Sequence, residues 1–98
     1  MLRETQGAQI TSAATIDVDA SFNRYVVVAG GVTAIDNIKI ENDAKAQRAF
    51  GGAVLWLKGD GTWTVTNAGN VFAAYAPAAG EWVCYIYDLA DTKWHRVT

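Results

Sequence analysis

Residues 80–98, G-E-W-V-C-Y-I-Y-D-L-A-D-T-K-W-H-R-V-T, give the clearest indication of the fold. Residues 82–87 are rich in aromatic and β-branched side chains, and a polar segment at residues 88–92 separates them from a second short run at residues 93–97. Two such runs joined by a polar turn are typical of a β-hairpin. We therefore predict a hairpin here that closes the fold.

The rest of the chain repeats this pattern of short strands and turns. Residues 15–20 and 38–41 alternate apolar and charged side chains, whereas residues 24–29 are apolar on both faces. Residues 50–66 hold two runs around Gly59-Asp60-Gly61, which predicts a second hairpin, and residues 71–76 form a further apolar run. Strands at this spacing are typical of sandwiches, jelly rolls and small barrels. We predict an all-β fold, a small antiparallel β-sandwich or jelly-roll-like domain.

The N-terminal residues differ in composition from the rest of the chain. Residues 1–14 are small and polar, with Leu2 and Ile10 as the side chains to bury, so we predict an N-terminal arm at residues 1–14 and a single domain at residues 15–98.

Residues 42–49 contain helix-favouring residues but no apolar stripe, which leaves a short helix and a loop both open.

The composition favours self-association. Of the 98 residues, 51% are hydrophobic and 18% are charged, which is more apolar surface than a domain of this size hides easily. We expect part of it to lie in a subunit interface, formed by strands that are apolar on both faces. The candidate interface residues are Tyr25, Val27, Val83 and Tyr85.

The charge pattern argues against two classes of partner. The net charge is −2 and the basic residues are scattered, so no phosphate-binding patch is visible and we expect no nucleic acid partner. The longest apolar run, residues 25–32, is far shorter than the roughly 20 residues of a membrane span, so we expect no membrane partner.

The sequence offers few candidates for catalysis. Cys84 and His95 lie on opposite limbs of the predicted hairpin, but nothing marks a third residue that would orient them. Asp17 and Asp19 lie on one side of a strand, about 7 Å apart, a separation found in inverting glycosidases. Acidic residues also protect edge strands from aggregation, and we favour that interpretation. We predict no enzymatic activity.

Metal and ligand candidates are equally sparse. Asp36, Glu41 and Asp43 could surround a hard cation but match no loop with fixed ligand spacing, so we expect no metal and no cofactor. The tryptophans all lie in the second half of the chain. Trp56 and Trp63 would contact a glycan if exposed, and would belong to the core or a subunit interface if buried.

Four segments occur in an order that resembles the β-structured module of tailed-phage virion proteins, which include capsid decoration (head-fibre or cement) proteins and tail-fibre domains. They are residues 13–18 (A-A-T-I-D-V), the region 26–40, residues 52–66 (G-A-V-L-W-L-K-G-D-G-T-W-T-V-T) and residues 78–97. In that family the last segment is an apolar strand ending in Tyr-Asp, a short turn, a Trp and a terminal apolar strand. Tyr87, Asp88, Trp94 and Val97 take those places here, although the turn at residues 88–92 is longer.

The resemblance implies a virion structural protein that forms homotrimers and has no enzymatic activity. The short chain favours a capsid decoration protein, with a tail-fibre domain or a receptor- or glycan-binding tip as the alternative. On this interpretation the partners are further copies of the chain and the major capsid protein. The arm would anchor on the shell through Leu2, Arg3 and Ile10. The protein would be made in the bacterial host cytoplasm and located on the capsid surface of the virion.

Overall fold

A computed structural model describes residues 6–19, 22–40 and 53–98. These ranges contain nine β-strands and no helix, which confirms the predicted all-β class. The predicted choice between helix and loop at residues 42–49 lies outside the described residues. The strands are β1 (Ile10–Thr11), β2 (Thr15–Val18), β3 (Arg24–Val28), β4 (Ala34–Ile35), β5 (Asn37–Ile40), β6 (Val54–Lys58), β7 (Thr64–Val65), β8 (Trp82–Asp88) and β9 (Lys93–Arg96).

Most of the strand pairs are parallel. β1 pairs with β3, β3 with β6, β2 with β5 and β4 with β7, all in parallel. Only the pairs β6–β8 and β8–β9 among the described strands are antiparallel. Sandwiches and jelly rolls are built from antiparallel strands, so the antiparallel part of the prediction is wrong for the other four pairs. Side chains alternate with the same period in both kinds of sheet, which is why the sequence pattern did not reveal strand direction.

The parallel pairs arise because the chain coils and lays each turn against the preceding one. The first turn carries β1 and β2, the second carries β3, β4 and β5, and the third carries β6 and β7. In register, Ile10 of the first turn lies opposite Val27 of the second, and Tyr25 of the second lies opposite Leu57 of the third. Residues far apart in sequence are therefore neighbours in one sheet.

The first turn includes part of the segment predicted to be an arm. The Gly7 N–H donates to the Arg24 carbonyl at 2.8 Å, and the Ser12 N–H donates to the Val28 carbonyl at 2.8 Å. Between them, Ile10 packs against the core. Residues 6–14 thus belong to the folded domain, because the second turn supplies them with hydrogen-bond partners.

The hairpin predicted at residues 50–66 does not form. β6 pairs with β3 and β8, whereas β7 pairs with β4 in a different sheet. Between the two strands the chain bends at Gly61, which has a φ of 86°, and the Asp60 carboxylate accepts a hydrogen bond from the Thr62 N–H at 3.0 Å. The predicted position of the bend is therefore correct. The bend, however, leads β7 into a different sheet and not back alongside β6.

The closing hairpin predicted from residues 80–98 is confirmed. β8 and β9 pair antiparallel, with Tyr87 opposite Trp94, and β8 also pairs with β6 of the third turn. The hairpin thereby completes a five-stranded sheet in the order β1-β3-β6-β8-β9. A long apolar strand suits this place, because it is covered on one face by the core.

Side chains from the three sheets meet in one apolar core. The largest fully buried members are Trp63, Trp94, Tyr85 and Tyr87. The Trp63 indole N–H donates to the Val27 carbonyl at 2.8 Å, which satisfies its polar group inside the core. The remaining members of the cluster are Ile16, Val18, Tyr25, Val27, Ile35, Ile38, Ile40, Leu55, Leu57, Val65, Val71 and Val83.

On one side of the coil, the Asn70 side chain takes the place of a strand and hydrogen-bonds to the backbone of β5. The Asn70 amide oxygen accepts from the Ile38 N–H at 2.8 Å, and the amide nitrogen donates to the Ile38 carbonyl at 2.8 Å. Gly69 makes this approach possible, since a Cβ built there would lie 2.2 Å from Oδ1 of Asn37. The third turn is thus fixed against the second without a regular ladder.

Candidate functional site

The four residues predicted to form a subunit interface belong to the core. Tyr25, Val27, Val83 and Tyr85 are each at most 3% exposed within a single chain. A second chain does not reach side chains so deeply buried, so a subunit interface would use other residues. The sequence showed that β3 and β8 are apolar on both faces but not which face turns inward.

The predicted capsid anchor is described only in part. Ile10 lies in β1 and is half-buried against the core, so it is engaged within the domain. Leu2 and Arg3 lie outside the described residues.

The two tryptophans predicted as glycan contacts have different environments. Trp63 is 1% exposed and bonded to the backbone inside the core, which removes it from any surface site. Trp56 is half-buried and points outward from β6. Trp82, which the sequence analysis did not single out as a contact, is also half-buried and points outward from β8. The signal for Trp82 was its place in the alternation, two residues before Cys84 on the same side of the strand.

Cys84 and His95 lie in the closing hairpin but have separate roles. His95 Nε2 lies 2.8 Å from a carboxylate oxygen of Asp91, and its ring stacks on Phe72 with 4.5 Å between centroids. Cys84 is 5% exposed, and burial raises the pKa of its thiol, which disfavours the reactive thiolate. Both side chains are therefore held in structural environments.

A group of metal-binding side chain types lies at the turn of this hairpin. Ligand atoms of Asp88, Asp91 and His95 all lie within 4.8 Å of one another, so these residues could hold a cation. The carboxylates also shape the turn, since Asp88 accepts from the Ala90 N–H at 2.9 Å and Asp91 accepts from the Lys93 N–H at 3.0 Å. These bonds account for both carboxylates through the local structure of the turn.

The other acidic candidates are dispersed. Asp17 is exposed on β2 and lies opposite Lys39 of β5 in the register. The backbone N–H and carbonyl of Asp19 both bond to the Tyr25 hydroxyl, at 2.7 and 2.8 Å. The Asp36 carboxylate accepts a hydrogen bond from the Thr66 hydroxyl. Glu41 and Asp43, the remaining members of the predicted cation set, lie outside the described residues.

A polar network that the sequence analysis missed joins the third turn to the hairpin. The Tyr75 hydroxyl donates to the Glu81 carboxylate at 2.6 Å, and the Arg96 guanidinium lies 3.9 Å from the centre of the Tyr75 ring. The hydrogen bond between the Tyr75 hydroxyl and the Glu81 carboxylate raises the pKa of Tyr75 and lowers the pKa of Glu81. Its members are far apart in sequence, so spacing gave no signal for it.

The outward side of the five-stranded sheet carries both apolar and cationic side chains. We name it the outer face. It consists of the residues on the outward side of β3, β6, β8 and β9, namely Arg24, Val26, Val28, Val54, Trp56, Lys58, Trp82, Cys84, Ile86, Asp88, Lys93 and His95.

The strand register places two cations over two aromatic rings on the outer face. Arg24 lies opposite Trp56, with its guanidinium carbon 5.6 Å from the ring centre. Lys58 lies opposite Trp82, with its ammonium nitrogen 5.8 Å from the ring centre. Both distances allow a cation–π attraction. The two ring–cation pairs lie side by side on adjacent strands.

Comparison with known proteins gives no further assignment. A scan against protein-family models, a search of curated proteins and a search of solved structures each found no match. The described ranges contain no helix that is long and apolar enough to cross a membrane. A proposal for the function therefore rests on the chemistry of the residues and on expectations drawn from the sequence.

Proposed function

We propose that this chain is a structural protein of a phage virion, which binds the outer head surface as a homotrimeric decoration protein. The four segments that carry the resemblance to tailed-phage virion modules overlap the regular structure of the chain. Residues 13–18 contain β2, residues 26–40 overlap β3 to β5, residues 52–66 contain β6 and β7, and residues 78–97 contain β8 and β9. The motifs are therefore the strands of one folded unit.

The observation that carries the proposal is that reactive side chains have structural roles while apolar side chains remain exposed. His95 is bonded and stacked within its turn, and the Cys84 thiol is buried, so the residues with reactive groups support the structure. Large apolar side chains that remain exposed include Val54 on the outer face and Phe22 and Phe72 outside it. A protein built this way acts by covering another surface, which stabilises a shell by about 25 cal/mol per Å² of apolar area buried.

The homotrimer is a part of the proposal that needs contacts outside the core. Large apolar side chains that remain exposed include Phe22, Val32 and Leu89, at 40%, 49% and 56%. Multi-angle light scattering at micromolar concentration is expected to give three times the chain mass of 10.5 kDa. A monomer under those conditions would reject the trimer.

The location is tested by binding and imaging. Purified protein is added to capsids that lack it, and saturable cosedimentation is expected, followed by density on the head in electron micrographs of intact virions. Deleting residues 1–5 should weaken capsid binding if Leu2 and Arg3 anchor the chain, and it leaves all of the described strands in place. Density confined to the tail would exclude the decoration role and support the tail-fibre alternative.

A further inference from the structure

The sequence contains a single aspartate or asparagine that is followed by glycine, Asp60 before Gly61. In such a pair the glycine nitrogen approaches the aspartate carboxyl carbon without a side chain on its own residue in the way, so the two groups can react. Gly61 is exposed and Asp60 is half-buried, so water reaches both residues. This pair is therefore the position at which a spontaneous change of the backbone is chemically favoured.

The reaction at an aspartate–glycine pair loses water in its first step and regains it in the second. The Gly61 nitrogen forms a bond to Cγ of Asp60, and the carboxyl OH leaves with the amide proton as water, which produces a succinimide ring. Water then opens the ring at either carbonyl. Breaking the bond between the Gly61 nitrogen and the original main-chain carbonyl gives isoaspartate, whose backbone runs through the former Asp60 side chain.

In the folded chain the Asp60 carboxylate accepts hydrogen bonds from three donors. Oδ1 accepts from the Thr62 N–H at 3.0 Å and from the Thr62 hydroxyl, and Oδ2 accepts from the Ala29 N–H at 2.9 Å. The bond from the Thr62 hydroxyl is the main cause that lowers the pKa of Asp60. The carboxylate has to give up these donors and gain a proton before its OH can leave.

The backbone beside Asp60 is restrained as well. The Gly59 N–H donates to the Glu81 carbonyl at 2.8 Å, and the Gly59 carbonyl accepts from the Gly80 N–H at 2.9 Å. A Cβ built on Gly59 would lie 2.7 Å from Cβ of Pro77, so the two segments are in close contact. Because the carboxylate and the backbone are both held, the reaction requires local opening of this corner of the coil.

We propose that the Asp60–Gly61 bond is a site of isoaspartate formation that the hydrogen bonds from Thr62 and Ala29 hold in check, and that its modification breaks the link between two turns of the coil. Ala29 follows β3 in the second turn, whereas Asp60 lies between β6 and β7 in the third. Isoaspartate lengthens the backbone by one carbon and moves the carboxylate onto a different branch, so the bond to the Ala29 N–H is lost. This inference is independent of the proposed role in a virion.

The first test compares the folded chain with the same chain unfolded in urea, both at neutral pH and physiological temperature. Isoaspartate is measured over several weeks by peptide mapping with mass spectrometry. We expect it to form at least tenfold more slowly in the folded chain, since the three hydrogen bonds restrain the carboxylate only there. Equal rates in the two states would overturn the proposal, and this comparison needs no variant.

Variants of Thr62 identify the protecting group. Thr62→Val removes the hydroxyl and keeps the N–H, so isoaspartate should form about fivefold faster, the factor that corresponds to one hydrogen bond of ordinary net strength. Thr62→Ser retains a hydroxyl and should keep the slow rate. Thr64→Val makes the same chemical change at an exposed position of β7 and should leave the rate unchanged. Circular dichroism shows whether each variant is folded. Equal rates in folded Thr62→Val and Thr64→Val would contradict the assigned role of Thr62.

The effect on the coil is measured on modified chain separated by hydrophobic-interaction chromatography. Hydrogen exchange of the Ala29 amide, followed by NMR, should be about fivefold faster than in the unmodified chain, and Tm should be lower. Unchanged exchange at Ala29 would show that the link between the second and third turns survives, and would reject that part of the proposal.

Discussion

Replacing Tyr85 with Phe is expected to stabilise the protein. Tyr85 is fully buried, and its hydroxyl forms no hydrogen bond with any group in the described ranges. A buried hydroxyl without a partner costs about 1–3 kcal/mol, because it has lost its bonds to water. Phenylalanine keeps the ring and its contacts and removes only the oxygen.

The expected gain is smaller than the full penalty, since the missing oxygen leaves a small void in the core. We expect a net increase of about 1 kcal/mol in the free energy of unfolding. For a domain of 60–100 residues this corresponds to a rise of about 4–8 °C in Tm. The change is large enough to measure with a two-state unfolding curve.

Tyr25→Phe provides the matched control, because it makes the same chemical change in the opposite environment. The Tyr25 hydroxyl accepts from the Asp19 N–H at 2.7 Å and donates to the Asp19 carbonyl at 2.8 Å. Removing it leaves both backbone groups without this partner, so the free energy of unfolding should fall by about 1–3 kcal/mol. The two variants are thus expected to shift stability in opposite directions.

Urea and thermal unfolding, followed by circular dichroism, measure both variants beside the unsubstituted protein. An unchanged urea m-value would show that the comparison concerns stability and not the compactness of the unfolded state. If Tyr85→Phe lowered stability as much as Tyr25→Phe, the Tyr85 hydroxyl would have a partner in solution, and the reasoning would be refuted.

Alkaline pH gives the same prediction a second measurement. Burial raises the pKa of Tyr85 to about 12 from an ordinary value of 10.0. Between these values the unfolded chain releases the proton while the folded chain keeps it, so the free energy of unfolding falls as pH rises. The loss reaches about 2–3 kcal/mol by pH 12. Tyr85→Phe lacks this contribution, and its advantage over the unsubstituted protein should grow by that amount between pH 9 and pH 12.

Two further substitutions test the core and the coil. Trp63→Phe removes the indole N–H that bonds to the backbone at 2.8 Å and leaves a void, so it should lower the free energy of unfolding by about 2–4 kcal/mol, measured by urea unfolding. Gly69→Ala should also destabilise, by more than about 1 kcal/mol, because the new Cβ would lie 2.2 Å from the Asn37 side chain. Gly31→Ala is its control, since nothing lies within 4 Å of a Cβ there, and its Tm should be unchanged or slightly raised.

Local chemistry was sufficient to locate the turns and most strands. Alternation at residues 15–20 and 38–41 identified β2 and β5, and the apolar run at residues 82–87 identified β8. The same signals misplaced the partners of β6 and β7. β6 and β7 looked like a hairpin because a glycine-rich turn joins them, and they belong instead to two different sheets.

The candidate site was only partly visible in the sequence. The sequence left open whether Trp56 and Trp63 are exposed or buried, and in the structure Trp56 is half-buried whereas Trp63 is buried. The pairing of Arg24 with Trp56 and of Lys58 with Trp82 depends on the register between β3, β6 and β8. Those strands are brought together by coiling, which no short window of sequence reports.

The all-β class, the closing hairpin and the positions of the bends could be predicted from the sequence, because they depend on side-chain alternation and on residues such as Gly61 that permit a particular backbone angle. Three features are seen only in the folded chain: the direction of the strands, the inward face of strands that are apolar on both sides, and the ring–cation pairs of the outer face. Those features depend on contacts between successive turns of the coil. Those contacts join residues that are distant in sequence, so they form only when the successive turns of the coil are stacked.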